Sequence, residues 1–181
     1  PHQPPIHLLC FGGSQGSRIL SEALVKALPM LPGAESLKIV HQTGPAQLES
    51  VQAAYRSAGR NAEVVPFIEN MSEAFAKADL VLCRAGATTI AELTVAGKAA
   101  ILVPLRSAAD DHQTWNAKAL AAQGAALMVS EAELGTLART VSDLVADPAK
   151  VRSLEDRARS LGKPDAAARV ADMLFSWVNA A

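Results

Sequence analysis

Short apolar runs alternate with longer amphipathic stretches along the chain. Residues 6–11 (IHLLCF) predict a first strand, 12–17 (GGSQGS) a loop, and 18–28 a helix closed by Pro29 and the Pro32-Gly33 turn. A second strand is predicted at 37–42 (LKIVHQ) and a second helix at 46–58, ending at Gly59. A third strand follows at 62–67 (AEVVPF), a short helix at 72–77, a fourth strand at 80–83 (LVLC) and a helix at 89–96. A fifth strand at 99–104 (AAILVP), a helix at 111–123 and a short sixth strand at 126–129 complete the alternation. From Glu131 onward only helices are predicted, broken at Asp147-Pro148 and at Gly162-Lys163-Pro164. Several strands are continuously apolar, as in a parallel sheet covered by helices on both faces. The expected fold is α/β: a Rossmann-like, doubly wound parallel sheet of about six strands. Residues 1–5 (PHQPP) read as a linker remnant and residues 6–181 as one domain. No internal repeat or low-complexity segment interrupts it.

Such sheets bind ligands beyond the carboxyl ends of their strands. The first loop there, Gly12-Gly13-Ser14-Gln15-Gly16-Ser17, allows close backbone approach and opens a helix whose free amides attract an anion. No Lys follows it, so it is not a Walker loop, and Ser14 replaces the second Gly of a dinucleotide fingerprint. The second strand ends in His41-Gln42, with no acid for the ribose of NAD. A tight strand–helix turn explains the loop equally well. The fourth loop, Arg84-Ala85-Gly86-Ala87-Thr88-Thr89, repeats the pattern and adds two hydroxyls.

Thr89-x-x-Glu92 matches a capping box, and the pattern by itself favours that reading. The alternative is a carboxylate accepting from both hydroxyls of a ribose. Ser130-x-x-Glu133 has the same spacing without a glycine loop and is expected to be capping alone. In the fifth loop Asp110 or Asp111 is a candidate cap. His112, Gln113 and Asn116 fall in the first turns of the next helix, where neutral polar groups suit a sugar, or else form a solvated helix face. Trp115, between them, is expected in the core.

Composition narrows the classes further. The chain has 181 residues, half of them hydrophobic, and a net charge of −1, so neither nucleic acid nor an anionic membrane is expected as main partner. Its two cysteines, Cys10 and Cys83, lie in apolar runs and are expected as buried thiols of a reduced, cytoplasmic protein, not as a disulfide. The chain begins at Pro1, shows no signal peptide and no stretch fit to cross a membrane, and reads as part of something longer. His2, His7 and His41 make no metal-ligand spacing with any Cys or acid, so no metal or cofactor is expected. No Gly-x-Ser-x-Gly elbow makes Ser14 a nucleophile.

GGSQGSR, FIENM, CRAGATTIAEL and VPLRSAADDHQTWNA, in this order and over nearly the whole chain, resemble the C-terminal domain of the MurG family. These bacterial enzymes add N-acetylglucosamine from UDP-GlcNAc to the lipid-linked muramoyl-pentapeptide precursor of peptidoglycan. The resemblance implies the donor half of a GT-B glycosyltransferase, working at the cytoplasmic face of the inner membrane. It implies that Gly13 and Ser14 meet the diphosphate and that backbone groups at Phe67-Ile68 read uracil. Ala87, Thr88 and Thr89 would open the helix facing phosphate and sugar. Glu92 would bind the ribose, reversing the preference for capping, and His112, Gln113 and Asn116 would contact GlcNAc. No catalytic residue is expected in this chain. The acceptor site and the base would belong to an N-terminal domain that also meets the lipid-linked acceptor. The last helix would pack on that domain, leaving Met173, Leu174, Phe175, Trp177 and Val178 partly exposed here, although ordinary core packing explains them equally well. A UDP-GlcNAc epimerase domain and a non-catalytic nucleotide-binding module remain as alternatives.

Overall fold

The computed structural model describes residues 2–106 and 111–179. Strands β1 (Ile6–Phe11), β2 (Leu37–Gln42), β3 (Glu63–Val65), β4 (Leu80–Cys83), β5 (Ala99–Leu102) and β6 (Leu127–Met128) form one sheet in the order β3-β2-β1-β4-β5-β6. Every pairing is parallel. Helices α1 (Arg18–Ala27), α2 (Leu48–Ser57), α3 (Met71–Lys77), α4 (Ala87–Ala96) and α5 (His112–Ala122) connect the strands. Helices α6 (Leu137–Ala146), α7 (Pro148–Leu161) and α8 (Ala166–Asn179) follow. The order reverses between β1 and β4, which puts the switch point of the doubly wound fold there.

Alternation along the central strands builds two cores. Ile6, Leu8, Cys10, Leu80, Leu82 and Ile101 face α1 and α6, together with Val151 and Leu154 of α7. Leu9, Phe11, Val81, Cys83 and Leu102 face the other layer, with Phe75 of α3, Leu93 of α4 and Leu120 of α5. Removing a side chain such as Leu8 or Leu82 from water contributes roughly 2 kcal/mol. Cys10 and Cys83 are free and buried on opposite faces, and burial pushes both thiols up.

The deviations from the expected elements have local causes. The third strand is shorter than 62–67 because Pro66 has no amide to continue the ladder. The fifth stops at Leu102, before Pro104, and the second helix opens with a 3-10 turn at Pro45–Gln47. Asp147 caps α7 by accepting from the Lys150 amide at 3.0 Å, with Pro148 in the first turn. Beyond Gly162 the chain leaves the body, and residues 163–177 are exposed, including Met173, Leu174, Phe175 and Trp177. The side chain of Val178 lies outside the described residues.

Candidate functional site

The loop between β1 and α1 rises at the switch point. Gly16 has φ +74 and sits so close to the neighbouring β2 loop that an added Cβ would lie 1.9 Å from the Thr43 carbonyl oxygen. Gly13 has φ +92 but faces open space, and its carbonyl accepts from the Gly16 amide at 3.0 Å. Ser14 is exposed, and neither its amide nor its hydroxyl bonds a described residue. Ser17 caps α1 by accepting from the Leu20 amide at 3.4 Å.

Two buried polar side chains hold these loops. Gln42, at the end of β2, donates from Nε2 to the Gly13 carbonyl at 2.8 Å and accepts at Oε1 from the Ile68 amide at 3.2 Å. Arg84, just past β4, is 8 % exposed. Its Nη1 donates to the carbonyls of Val103 and Pro104, both at 3.2 Å, and lies 2.7 Å from Glu131 Oε1. Sequence reasoning did not single out either as a brace. The only signal was a polar residue at the carboxyl end of a strand, Gln42 closing LKIVHQ and Arg84 following LVLC.

Helix α4 starts two residues earlier than expected. Gly86 is its N-cap and contributes no side-chain cap, so the amides of Ala87, Thr88 and Thr89 are the open donors of the first turn. The expected capping box is therefore not formed: Thr89 lies inside the helix, and Glu92 is exposed with no hydrogen bond to a described residue. Glu92 lines a shallow depression with Met71, Ser72 and Phe75 of α3 and Val95 of α4. At Ser130, by contrast, the box exists: the Ser130 amide and hydroxyl donate to Glu133 Oε2 at 3.2 and 2.6 Å. That contact also holds the Glu133 carboxyl below its usual range.

Helix α5 corrects other expectations. Asp111 occupies the N-cap position in left-handed conformation (φ 52), but its carboxylate accepts from the Thr114 hydroxyl at 2.5 Å and caps no amide. Asp110 lies outside the described residues. Trp115 is 67 % exposed, not in the core, and Lys118 Nζ stands 5.5 Å from its ring centroid. Ala117 and Leu120 are the residues of this helix that face inward. Gln113 Oε1 accepts from the amides of Ala85 and Leu105 at 3.3 and 3.0 Å, and Asn116 Nδ2 donates to the Ala85 carbonyl at 3.0 Å. Gln113 and Asn116 thus tie the loops after β4 and β5 together. Gln113 Nε2 and Asn116 Oδ1 bond no described residue, whereas His112 is exposed. Phe67, 49 % exposed, and Ile68 close one end of a groove of ≈ 750 Å³ along β2 and β3. That groove contains none of Ser14, Thr88 or Glu92.

The remaining histidines lie elsewhere. His41 is buried between Ser21 Oγ and Tyr55 Oη, each at 3.2 Å, and links α1, β2 and α2. Burial lowers its pKa to about 4. His2 bridges Asp79 at 2.7 Å and Glu155 at 2.8 Å, and the His7 amide donates to Asp79 at 2.8 Å, at the amino end of β1.

The sheet order and the paired helix starts at its carboxyl edge are those of a Rossmann-like GT-B domain. The chain belongs to the glycosyltransferase family 28 C-terminal domain, whose family model matches residues 7–170. It is 52% identical over 169 residues to the UDP-N-acetylglucosamine--N-acetylmuramyl-(pentapeptide) pyrophosphoryl-undecaprenol N-acetylglucosamine transferase of Myxococcus xanthus (strain DK1622), covering 92% of this chain and 44% of that protein. A protein of the same name from Pelobacter propionicus (strain DSM 2379 / NBRC 103807 / OttBd1) is 48% identical over 179 residues, 97% of this chain and 47% of that protein. The chain therefore spans about half the length of the curated relatives it matches. The crystal structure of Acinetobacter baumannii MurG superposes with a TM-score of 0.88 at 38% identity, covering 97% of this chain and 54% of that one. UDP-GlcNAc 2-epimerase from Neisseria meningitidis, bound to UDP-GlcNAc, shares the fold at TM-score 0.62 and 11% identity over 96% of this chain and 45% of that one.

Proposed function

We propose that this chain is the donor-binding half of an inverting transferase that moves N-acetylglucosamine from UDP-GlcNAc to undecaprenyl-diphospho-muramoyl-pentapeptide in peptidoglycan synthesis. One observation carries the reading. Helices α1 and α4 leave neighbouring strands at the same sheet edge, α1 from a glycine-rich loop and α4 from Gly86, and first-turn amides of both bond no described residue. Such a pair of helix starts suits a diphosphate.

In this reading Gly13 and Ser14 meet the diphosphate from one side, and Ala87, Thr88 and Thr89 from the other. Glu92, free of any capping partner, accepts from the ribose hydroxyls. Backbone groups at Phe67-Ile68 take uracil. His112 and the open amide atoms of Gln113 and Asn116 face the sugar. The acceptor hydroxyl attacks the anomeric carbon, the bond to the diphosphate breaks and UDP leaves. Negative charge grows on the diphosphate in that step, where helix amides stabilise it without a metal or cofactor. A base in a preceding N-terminal domain takes the hydroxyl proton, and that domain binds the lipid-linked acceptor at the cytoplasmic face of the inner membrane. Among the described residues no helix is long and apolar enough to cross a membrane. Nucleic acid has no part in the reading.

Calorimetry on this chain tests it. UDP and UDP-GlcNAc are expected to bind, EDTA to change nothing, and Glu92→Ala to weaken both ligands roughly tenfold or more, the worth of hydrogen bonds to a charged group. Absence of binding at millimolar UDP sinks the donor reading. Turnover of the lipid acceptor by this chain alone sinks the claim that it is half an enzyme.

A further inference from the structure

Gln42 is 2 % exposed, and its side-chain amide is used at both ends. Nε2 reaches the Gly13 carbonyl at 2.8 Å and Oε1 receives the Ile68 amide at 3.2 Å. A carbonyl only accepts and a backbone amide only donates, so the two partners fix which way the Gln42 amide points. Neither a carboxylate nor a hydrocarbon side chain can serve both. Gly13 belongs to the loop after β1, and Ile68 to the loop after β3.

The consequence for Ser14 follows from peptide geometry. In a planar trans peptide the carbonyl of Gly13 and the N–H of Ser14 point in opposite directions. The Gly13 carbonyl is anchored by two donors, Gln42 Nε2 at 2.8 Å and the Gly16 amide at 3.0 Å. The Ser14 N–H is thereby turned away from Gln42 and bonds no described residue, on a residue that is itself exposed. Gly13 accommodates this with φ +92.

We infer that Gln42 is a positioning residue of the donor site, which aims the Ser14 amide at the diphosphate and sets the Phe67-Ile68 loop against the base. The inference rests on the donor-binding reading above. It makes one buried amide the mechanical link between the phosphate end and the base end of the nucleotide. Both ends then depend on Gln42, but through different atoms.

That difference supplies the test. UDP and uridine are titrated calorimetrically into the parent chain, Gln42→Met and Gln42→Glu, with far-UV circular dichroism verifying the fold of each. Gln42→Met loses both bonds, and its affinity for both ligands should fall, for UDP about tenfold or more. Gln42→Glu keeps an acceptor for Ile68 but sets a carboxylate against the Gly13 carbonyl. Its uridine affinity should stay within about twofold while its UDP affinity falls about tenfold. Once protonated, the same carboxyl donates to Gly13, so the UDP affinity of Gln42→Glu relative to the parent should recover as the pH is lowered. A residue that merely filled space would show neither the split between ligands nor the pH-dependent recovery. UDP binding that is equal in all three chains, or an equal loss of UDP and uridine in Gln42→Glu, overturns the role of Gln42 and leaves the donor reading intact. A parent chain that binds no UDP removes both.

Discussion

The Nε of Arg84 donates to the Oγ of Ser17 at 3.2 Å, so the residue that follows β4 holds the residue that caps α1. The same guanidinium reaches two carbonyls past β5 and the Glu131 carboxylate. Arg84→Met keeps the bulk but strands those carbonyls and leaves half-buried Glu131 unpaired. Equilibrium denaturation should show a loss of about 3 kcal/mol. Arg84→Lys should not restore it, because a single ammonium cannot span the partners that the planar fork reaches. A variant within about 0.5 kcal/mol of the parent would show that the brace is not needed.

Gly13 and Gly16 share a loop and a positive φ but differ in surroundings. At Gly16 the added methyl would meet the Thr43 carbonyl at 1.9 Å, whereas at Gly13 nothing lies within 4 Å. Gly13→Ala should therefore cost only backbone strain, about 1–2 kcal/mol. Gly16→Ala should cost clearly more, since the β1 and β2 loops must separate as well. Thermal melts of the two variants order them, and the reverse order contradicts the close approach.

His41 makes stability depend on acid. Its folded pKa is lowered from 6.5 to about 4 by burial between α1 and α2. The unfolded chain takes up the proton first, so this contribution is complete above the unfolded value. It fades as the pH falls from 6.5 towards 4, by roughly 3 kcal/mol in all. His41→Gln should flatten that part of the pH–stability curve. An equally steep curve in the variant assigns the acid sensitivity to other groups.

The N-terminal segment carries a weaker pH dependence of another shape. Burial lowers the pKa of His2, but its hydrogen bonds to Glu155 and Asp79 outweigh that and leave it raised above 6.5. Burial raises that of Asp79, but the His7 amide and the His2 and His7 side chains outweigh that and leave it below 3.8. The His2 contribution is complete below 6.5 and is lost as the pH rises through the raised value. The Asp79 contribution is complete above 3.8 and is lost as the pH falls through the lowered one. The protection factor of the His7 amide, corrected for the intrinsic pH dependence of exchange, should thus be highest between about pH 4 and 6.5, and His2→Ala should remove the high-pH limb. A histidine titration by NMR that places His2 below 6.5 contradicts the clamp.

The sheet was legible in the sequence because its signals are local. Continuous apolar runs such as LVLC and AAIL, punctuated by glycine and proline, state both the strands and their burial on two faces. Strands β1, β2 and β4 match the expected limits residue for residue. The glycine loops and the polar start of α5 were equally visible, and with the family resemblance they supplied the candidate site. Three matters were not local. Whether Glu92 caps α4 depends on where that helix starts, and Gly86 in the N-cap position moved the start two residues upstream, out of register with the box. Whether Trp115 is core depends on which face of α5 meets the sheet, and Ala117 and Leu120 take that face. The roles of Gln42 and Arg84 depend on partners such as Gly13, Ile68, Ser17 and Glu131, which only the order of the strands in the sheet brings within hydrogen-bond reach. Hydrophobic periodicity determines which segments become strands and helices. Tertiary packing decides which buried polar atoms meet, because a hydrogen bond is set by a few tenths of an ångström between residues far apart in the chain.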